Sequence, residues 1–472
     1  MMKSRTWKTA VWGGDWSELD MRNASPQGVC DFNDRDGVAL SIPFGSLSKE
    51  NTFNAGGFTC ATGNYTLGDR LVGVTQDGCQ LVLRGCISKG ISRSDPGDSQ
   101  ETIAATTLFS AKHDYDESLP VVSAEIEVYG LQNWLGIQIV AAPVEGVIPI
   151  KDERVERNLP LFKSDAFSAS IKYGLNKPKQ WRDCLEVRTF ALVSVSCPNG
   201  MTFDRLWHEV VWKTQSLFAF MYGFYPSVEA LRVRFKEDGP SVNVYRQSYI
   251  GVEGKVTEET VPVPFQKLGE EGLQNVASRW FELTDREERA SELLTTLLGG
   301  WTTPLEMPLL AASAMVETLG RVHEVKTYSK NEFKTIKEAI LAAAPEDVRE
   351  RLSQLLGMLN TWSYARCLEA VYQECGSFAS WLIEDWDSFS KRQRDLRNNG
   401  AHALDGDVDV AASIDHYYAL ILLAYCWFLK SFRVSDEVID HFENGSYLNA
   451  RRNAVHERYR LRGGDAGSAC AG

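Results

Sequence analysis

The sequence predicts an α+β protein with a strand-rich N-terminal domain over 1–265, an all-α helical bundle over 273–460 and a flexible tail over 461–472. Three observations predict it. In the first half, short alternating runs of Val, Leu and Ile are punctuated by Gly and Asp, the pattern of half-buried strands. Past residue 272 the apolar residues recur at helical spacing almost without interruption. Between the two, "VTEETVPVPFQKLGEEG" from Val256 to Gly272 gathers prolines, glycines and acidic residues, the composition of a domain boundary. At 472 residues the chain is also too long for one typical core.

The strand candidates in order are Gly37–Pro43, Arg70–Ile87 with a hairpin turn at Asp77–Gly78, Val121–Leu131, Asp165–Gly174 and Cys184–Cys197. The glycine-rich stretch Asn54–Asp69 follows no strand-to-helix pattern and reads as loop, as does the polar stretch Ser92–Glu101; the charged segment 143–160 reads as a connection. A helix is expected over 202–223, started by Thr202 or Asp204, with two short strands after it, Glu229–Phe235 and Ser241–Gly251. Beyond the boundary, helices are expected over Leu273–Gly300, Thr303–Val325, Glu332–Ala344, Pro345–Asn360, Ala365–Gly376, Ser377–His402 and Asp407–Phe432.

Composition narrows the function. A net charge of −13 argues against broad coating of nucleic acid, yet leaves room for a local basic cleft, since binding follows the field at the site. The N-terminus "MMKSRTWKTAVWGGDW" has no apolar run of export-signal length, and Tyr417–Leu429 is too short to span a bilayer and reads as a core helix. Ten scattered cysteines, without a CxxC pair or Cys/His ligand spacing, read as reduced thiols in a cytoplasmic protein without a metal. No phosphate-binding loop, GxSxG or metal triad appears, and the N-terminal half carries no catalytic signal.

The chemistry concentrates in "KRQRDLRNNGAHALDGD", Lys391–Asp407. Lys391, Arg392, Arg394 and Arg397 fall close together in an acidic chain, followed by Asn398 and His402. An arginine fork grips phosphate through paired hydrogen bonds and keeps its charge. Histidine moves protons near neutrality, and asparagine orients its neighbours. Together they suit metal-free RNA cleavage: His402 handles protons as a 2′-hydroxyl attacks the adjacent phosphorus, and Arg397 stabilises the phosphorane. Asn398 and His402 share a helical face. Arg397 and His402 stand about 140° apart around a straight helix, so either the arginine reaches around or the helix distorts at Gly400. Lys391, Arg392 and Arg394 are the RNA-binding candidates. A second Arg-x4-His, Arg451 to His456, lacks the asparagine and lies in a polar C-terminal stretch, so it is set aside.

An all-helical domain with Arg-Asn-x-x-x-His between two long helices resembles the HEPN superfamily. The preceding strand-rich domain, with a helix near 202–223 and short strands after it, is most similar to the ApeA-type HEPN proteins. The resemblance implies a bacterial antiphage protein: a toxic ribonuclease acting by abortive infection, silent until a phage trigger releases it, with RNA (transfer RNA among the candidates) as substrate, and with no cofactor. It implies Arg397 as the motif arginine, Asn398 as the polar residue and His402 as the histidine. It further implies a homo-oligomer, at least a dimer through the helical domain, in which two motifs face each other. The "MVETLGR" segment resembles the acidic-ended first helix of such domains and makes Glu317 a supporting residue. Ile421, Leu422, Leu423, Trp427 and Phe428 offer an apolar dimer surface, or simply core.

Plainer roles stand beside these. Arg397 and His402 at a helix end would complement its dipole. Lys391, Arg392 and Arg394 alternate with Asp387 and Asp395 as a solvated face would. Glu317 and Arg321 fit an ordinary i,i+4 pair. His323 and His416 read as structural residues in helices, and Trp362, Trp381, Trp386 and Trp427 as core. Two other classes of function compete: a non-catalytic HEPN dimerisation scaffold, and a phage-signal receptor whose helical half only oligomerises.

Overall fold

The computed structural model describes residues 4–16, 19, 26–33, 36–55, 58–95, 98–137, 157–175, 179–181, 184–186, 188–247, 254–300, 303–324, 326, 328–356, 360–402 and 409–461. The chain divides into two compact units, residues 1–258 with 269–278, and residues 259–268 with 279–472. The expected boundary segment thus contributes to both, and Val256, Val261 and Val263 within it are buried.

The first unit is built on one fourteen-stranded sheet in which neighbours pair antiparallel. From edge to edge the strands are Arg157–Lys163, Ser168–Leu175, Thr189–Met201, Val121–Val128, Val228–Arg234, Val242–Arg246, Thr107–Ala111, Gln80–Arg84, Arg70–Val74, Arg5–Gly13, Gln27–Asn33, Gly37–Phe44, Asp98–Ala105 and Ile87–Asp95. The Asp77–Gly78 turn closes as expected: Gly78 N–H donates to Thr75 O at 3.0 Å, and Gly78 takes φ 76°, where a Cβ would be penalised.

Two stretches read as loops are hairpins instead. Lys49–Ala55 pairs with Phe58–Thr66, and Ile87–Asp95 with Asp98–Ala105. Their Gly, Ser, Asn and Asp content hides the alternation, and backbone pairing overrides weak strand propensity. Most of the expected 143–160 connection lies outside the described residues; its end, from Arg157, is an edge strand.

The helix over 202–223 starts at Thr202, whose hydroxyl accepts from Arg205 N–H at 3.4 Å, and closes at Gly223 with φ 76°. Its Leu206–Val211 segment winds as a π-helix. Leu217–Tyr222 are buried on every side, so the second half of the helix is apolar all round, whereas its first half carries the exposed Arg205–Glu209 pair. Trp134 meets Phe218 at 5.7 Å and Phe109 of the sheet meets Phe203 at 4.9 Å.

The second unit is helical. The single helix expected over Leu273–Gly300 is two, Phe265–Phe281, of which 269–278 belong to the first unit, and Asp285–Leu298; the former is bent at Gly269 with φ 68°. The apolar period runs through the break, but Thr284 opens a new helix through a capping box with Glu287. Glu306–Gly320 and Tyr364–Cys375 follow expectation, separated by a hairpin of Lys330–Ala343 and Arg349–Leu356. Ser377–His402 splits into Ser377–Leu382 and Trp386–His402, where Asp385 accepts from Ser388 N–H at 3.1 Å and starts the second helix.

Two further helices, Asp436–Asn444 and Asn449–Tyr459, have no counterpart in the sequence expectation. The second carries Arg451 and His456, so that motif is not in a polar tail: Arg452, Val455 and Tyr459 beside it are buried. Residues 462–472, most of the expected flexible tail, lie outside the described residues.

Val410–Ser431 is the bundle's central helix. By length and composition it is long enough to cross a membrane, but 89% of its most apolar window is buried within the chain. Ile421, Leu422, Leu423, Trp427 and Phe428 are at most 3% exposed. The candidate dimer surface is therefore core.

Candidate active site

Three helices converge on Arg397. A Cβ at Gly320 would lie 2.3 Å from the Cys367 carbonyl oxygen, so this glycine lets Glu306–Gly320 and Tyr364–Cys375 touch. That contact sets Glu317 and Tyr364 side by side, each one helical turn before the crossing point. Along Trp386–His402, Phe389, Gln393 and Arg397 recur every fourth residue on the inward face; Phe389 and Gln393 are fully buried, and the Arg397 side chain is 35% exposed.

The guanidinium is held on two sides. Its Nη2 donates to Glu317 Oε2 at 2.9 Å, and its carbon lies 4.7 Å from the centre of the Tyr364 ring. Glu317, 20% exposed, gives its other oxygen, Oε1, to Arg321 Nη2 at 2.8 Å. The carboxylate therefore bridges two arginines rather than closing a local i,i+4 pair alone. Arg321 also donates to Trp362 O at 3.3 Å and faces Glu324 at 3.6 Å, and Glu324 in turn binds Arg286 at 3.3 Å. Burial works against the Arg321 charge, but Glu317 and Glu324 raise its pKa overall. Among the described residues, Nε and Nη1 of Arg397 have no partner. They remain available to an anion.

Beneath the arginine lies a buried polar network. Gln393 Nε2 donates to Ser313 Oγ at 3.0 Å and to the Tyr364 hydroxyl at 3.1 Å, while Ser313 donates to Leu309 O at 2.8 Å. Burial pushes the Tyr364 phenol up to about 12, only partly offset by Ser313, Gln393 and Arg397, so it stays protonated. Tyr364, Gln393 and Ser313 are absent from the sequence expectation. One signal for them exists: Gln393 is a lone amide in the otherwise apolar inward row that leads to Arg397.

The basic stripe does not act as one face. Lys391, Arg392, Arg394 and Asn398 are exposed, and only Arg397 turns inward. Arg394 Nε donates to Ser390 O at 3.3 Å on its own helix. The backbone stays helical through Gly400 to His402, without the expected interruption. The His402 side chain lies outside the described residues. On a continuous helix, positions 398 and 402 share a face and 397 stands about 140° away from 402.

The remaining expectations divide. His416 is buried and structural: its ring stacks on Phe389 at 4.6 Å, its Nε2 meets the Tyr459 hydroxyl, and burial, with Arg392 and Arg458, holds its pKa down at about 3. His323 lies in the turn after Gly320 rather than in a helix, 3.1 Å from Glu374. Of the four tryptophans only Trp427 is core; Trp381 is 39% exposed, stacked at 4.6 Å on His456, whose Nδ1 contacts the Trp381 carbonyl at 2.7 Å. Arg451 lies over Tyr418 at 4.9 Å. The second Arg/His pair is thus engaged in packing, and neither residue faces the Arg397 cluster.

The helical bundle with its braced motif arginine defines the class: residues 310–438 match the family model described as Apea-like HEPN. Residues 24–280, more than half of the chain, match the model of ApeA N-terminal domain 1. The chain belongs to the ApeA-type HEPN proteins, a HEPN family of antiphage defence. No curated protein and no solved structure matches it.

Proposed function

We propose that this protein is a metal-independent endoribonuclease that acts in the cytoplasm and defends by abortive infection. The observation that carries the reading is the seating of Arg397: fixed by Glu317 and Tyr364, with two N–H edges left over, immediately before the exposed Asn398, which is one turn before His402. HEPN domains commonly dimerise and bind RNA. In the proposed step, His402 takes the proton of a ribose 2′-hydroxyl. The oxygen attacks the adjacent phosphorus, the bond to the 5′-oxygen breaks, and that oxygen leaves with a proton. The products are a 2′,3′-cyclic phosphate and a 5′-hydroxyl. Arg397 stabilises the charge gathered on the phosphorane. The partner subunit's His402 supplies the second proton shuttle when two motifs face each other. Lys391, Arg392 and Arg394 bind flanking phosphates.

The test is purified protein with total RNA in EDTA. Cleavage that survives the chelator supports the reading, and a dimeric but inert protein favours the scaffold. Mixing His402→Ala with wild type in co-assembled dimers should lower activity below the wild-type fraction; full activity from a monomer would refute the shared site.

A further inference from the structure

We propose that Tyr364 and Gln393 are positioning residues for Arg397, with Gln393 clamping the Tyr364 hydroxyl so that the ring forms a fixed floor beneath the guanidinium. The inference rests on the reading of Arg397 as the phosphate-binding arginine. Gln393 and Arg397 lie four residues apart on one helix face, so the helix that presents the arginine also sets the floor on which it rests. The closed loop runs Gln393 Nε2 to the Tyr364 hydroxyl at 3.1 Å, the Tyr364 ring to Arg397 at 4.7 Å, and Arg397 back along one turn of backbone to Gln393. Ser313 holds the other hydrogen of the amide at 3.0 Å.

Packing alone does not call for this arrangement. Gln393 is 0% exposed and its Oε1 has no partner among the described residues. An unpaired buried carbonyl is costly, and an apolar side chain of similar volume would fill the place without that cost. The amide gives directional contacts that a methionine cannot: one fixes the phenol, and the phenol fixes the plane of the fork. Glu317 constrains the guanidinium edge and Tyr364 its face, which leaves the side chain one orientation. A fork fixed before substrate arrives needs no reorganisation in the transition state.

Two measurements test this on the full chain. The first is kinetic, with Gln393→Met, Tyr364→Leu and Tyr364→Phe assayed on an RNA oligonucleotide beside thermal melts. Gln393→Met and Tyr364→Leu should lower kcat by about tenfold to a hundredfold with KM within about threefold, and Tyr364→Phe, which keeps the ring, should lose less. In an Arg397→Lys background, which keeps the charge but loses the fork, the further loss from Gln393→Met should shrink below about twofold. Unchanged kcat in Gln393→Met and Tyr364→Leu, or losses that multiply fully with Arg397→Lys, overturn the proposal. The second readout needs no activity: phenylglyoxal modification followed by peptide mass spectrometry. In wild type, Arg397 should react more slowly than the exposed Arg394, and in folded Gln393→Met or Tyr364→Leu its rate should rise to that of Arg394. If wild type fails to cleave RNA, the ribonuclease reading falls, and the modification rates alone decide: an Arg397 rate unmoved by either variant overturns the positioning role.

Discussion

Replacing Glu317 with alanine removes one carboxylate from between two guanidinium groups at 2.9 and 2.8 Å. Unit charges about 4 Å apart at an effective dielectric of about 20 attract by roughly 4 kcal/mol gross. Both arginines are about a third exposed, with side chains at 35% and 29%, so solvent screening brings each pair down to about 1 kcal/mol net. The substitution also leaves Arg397 and Arg321 facing each other without a counter-charge, which raises the expected loss to about 2–3 kcal/mol. At about 2–4 °C per kcal/mol for a unit of this size, the melting temperature should fall by roughly 5–10 °C. Glu317→Gln keeps an acceptor and should lose about half of that. The assay is a melt of both variants by circular dichroism at low and high salt, with RNA cleavage measured alongside. Salt should narrow the gap between alanine and wild type, because part of what is lost is screened Coulomb energy. Cleavage should fall by about tenfold as the fork loosens. An alanine variant that melts within about 1 °C of wild type, at full activity, would show that Glu317 neither stabilises nor places Arg397.

Other outcomes follow from the same geometry. Arg397→Ala and His402→Ala should each abolish RNA cleavage and cell toxicity, and the double variant should be no worse than either, as for residues that act in one step; full activity in His402→Ala would end the catalytic reading. Arg451→Ala and His456→Ala should each cost about 0.5–1 kcal/mol of stability, read by melting, through the lost contacts to Tyr418 and Trp381, and should leave cleavage intact. His416 binds no proton in the folded chain until about pH 3, whereas the unfolded chain takes one up below about pH 6.5, so its share of stability is present above pH 6.5 and is lost as pH falls. Between pH 7 and 5 that share is about 2 kcal/mol. Denaturant titrations of His416→Gln, which keeps an acceptor for Tyr459, should show a correspondingly shallower pH dependence; an unaltered slope would refute the buried neutral imidazole.

Much of the fold is legible because patterning is local. The strands at Gly37, Arg70, Val121 and Val228 announce themselves by alternation, and the helix over 202–223 by its caps. The hairpins over 49–66 and 87–105 do not, since polar, glycine-containing strands show little alternation; backbone pairing makes them strands, within one hairpin for 49–66 and also with the distant Gly37–Phe44 for 87–105. Helix breaks at 282–284 and 383–385 are masked by an apolar period that continues across them. At the site, the Arg-Asn motif is a contiguous string and can be read directly. Tyr364 and Ser313 cannot, because only the crossing of three helices brings them under Arg397. The stripe of four basic residues misleads in the other direction: spacing in sequence gives no sign that Arg397 alone turns inward.

The helix Asn449–Tyr459 has a consequence in time. The Tyr459 hydroxyl meets His416, its ring lies against Phe389 at 5.1 Å, and its carbonyl accepts from Asp385 N–H at 2.8 Å, so the motif helix gains one flank from residues that follow it in the chain. Synthesis delivers the N-terminal residues first. When Arg397 and His402 have been joined to the nascent chain, the helix that braces their own helix has yet to be made. The motif helix therefore gains this flank only after residue 459 has been added. On the ribonuclease reading, the order of the chain itself delays a finished site until residues 403–459 have followed the motif.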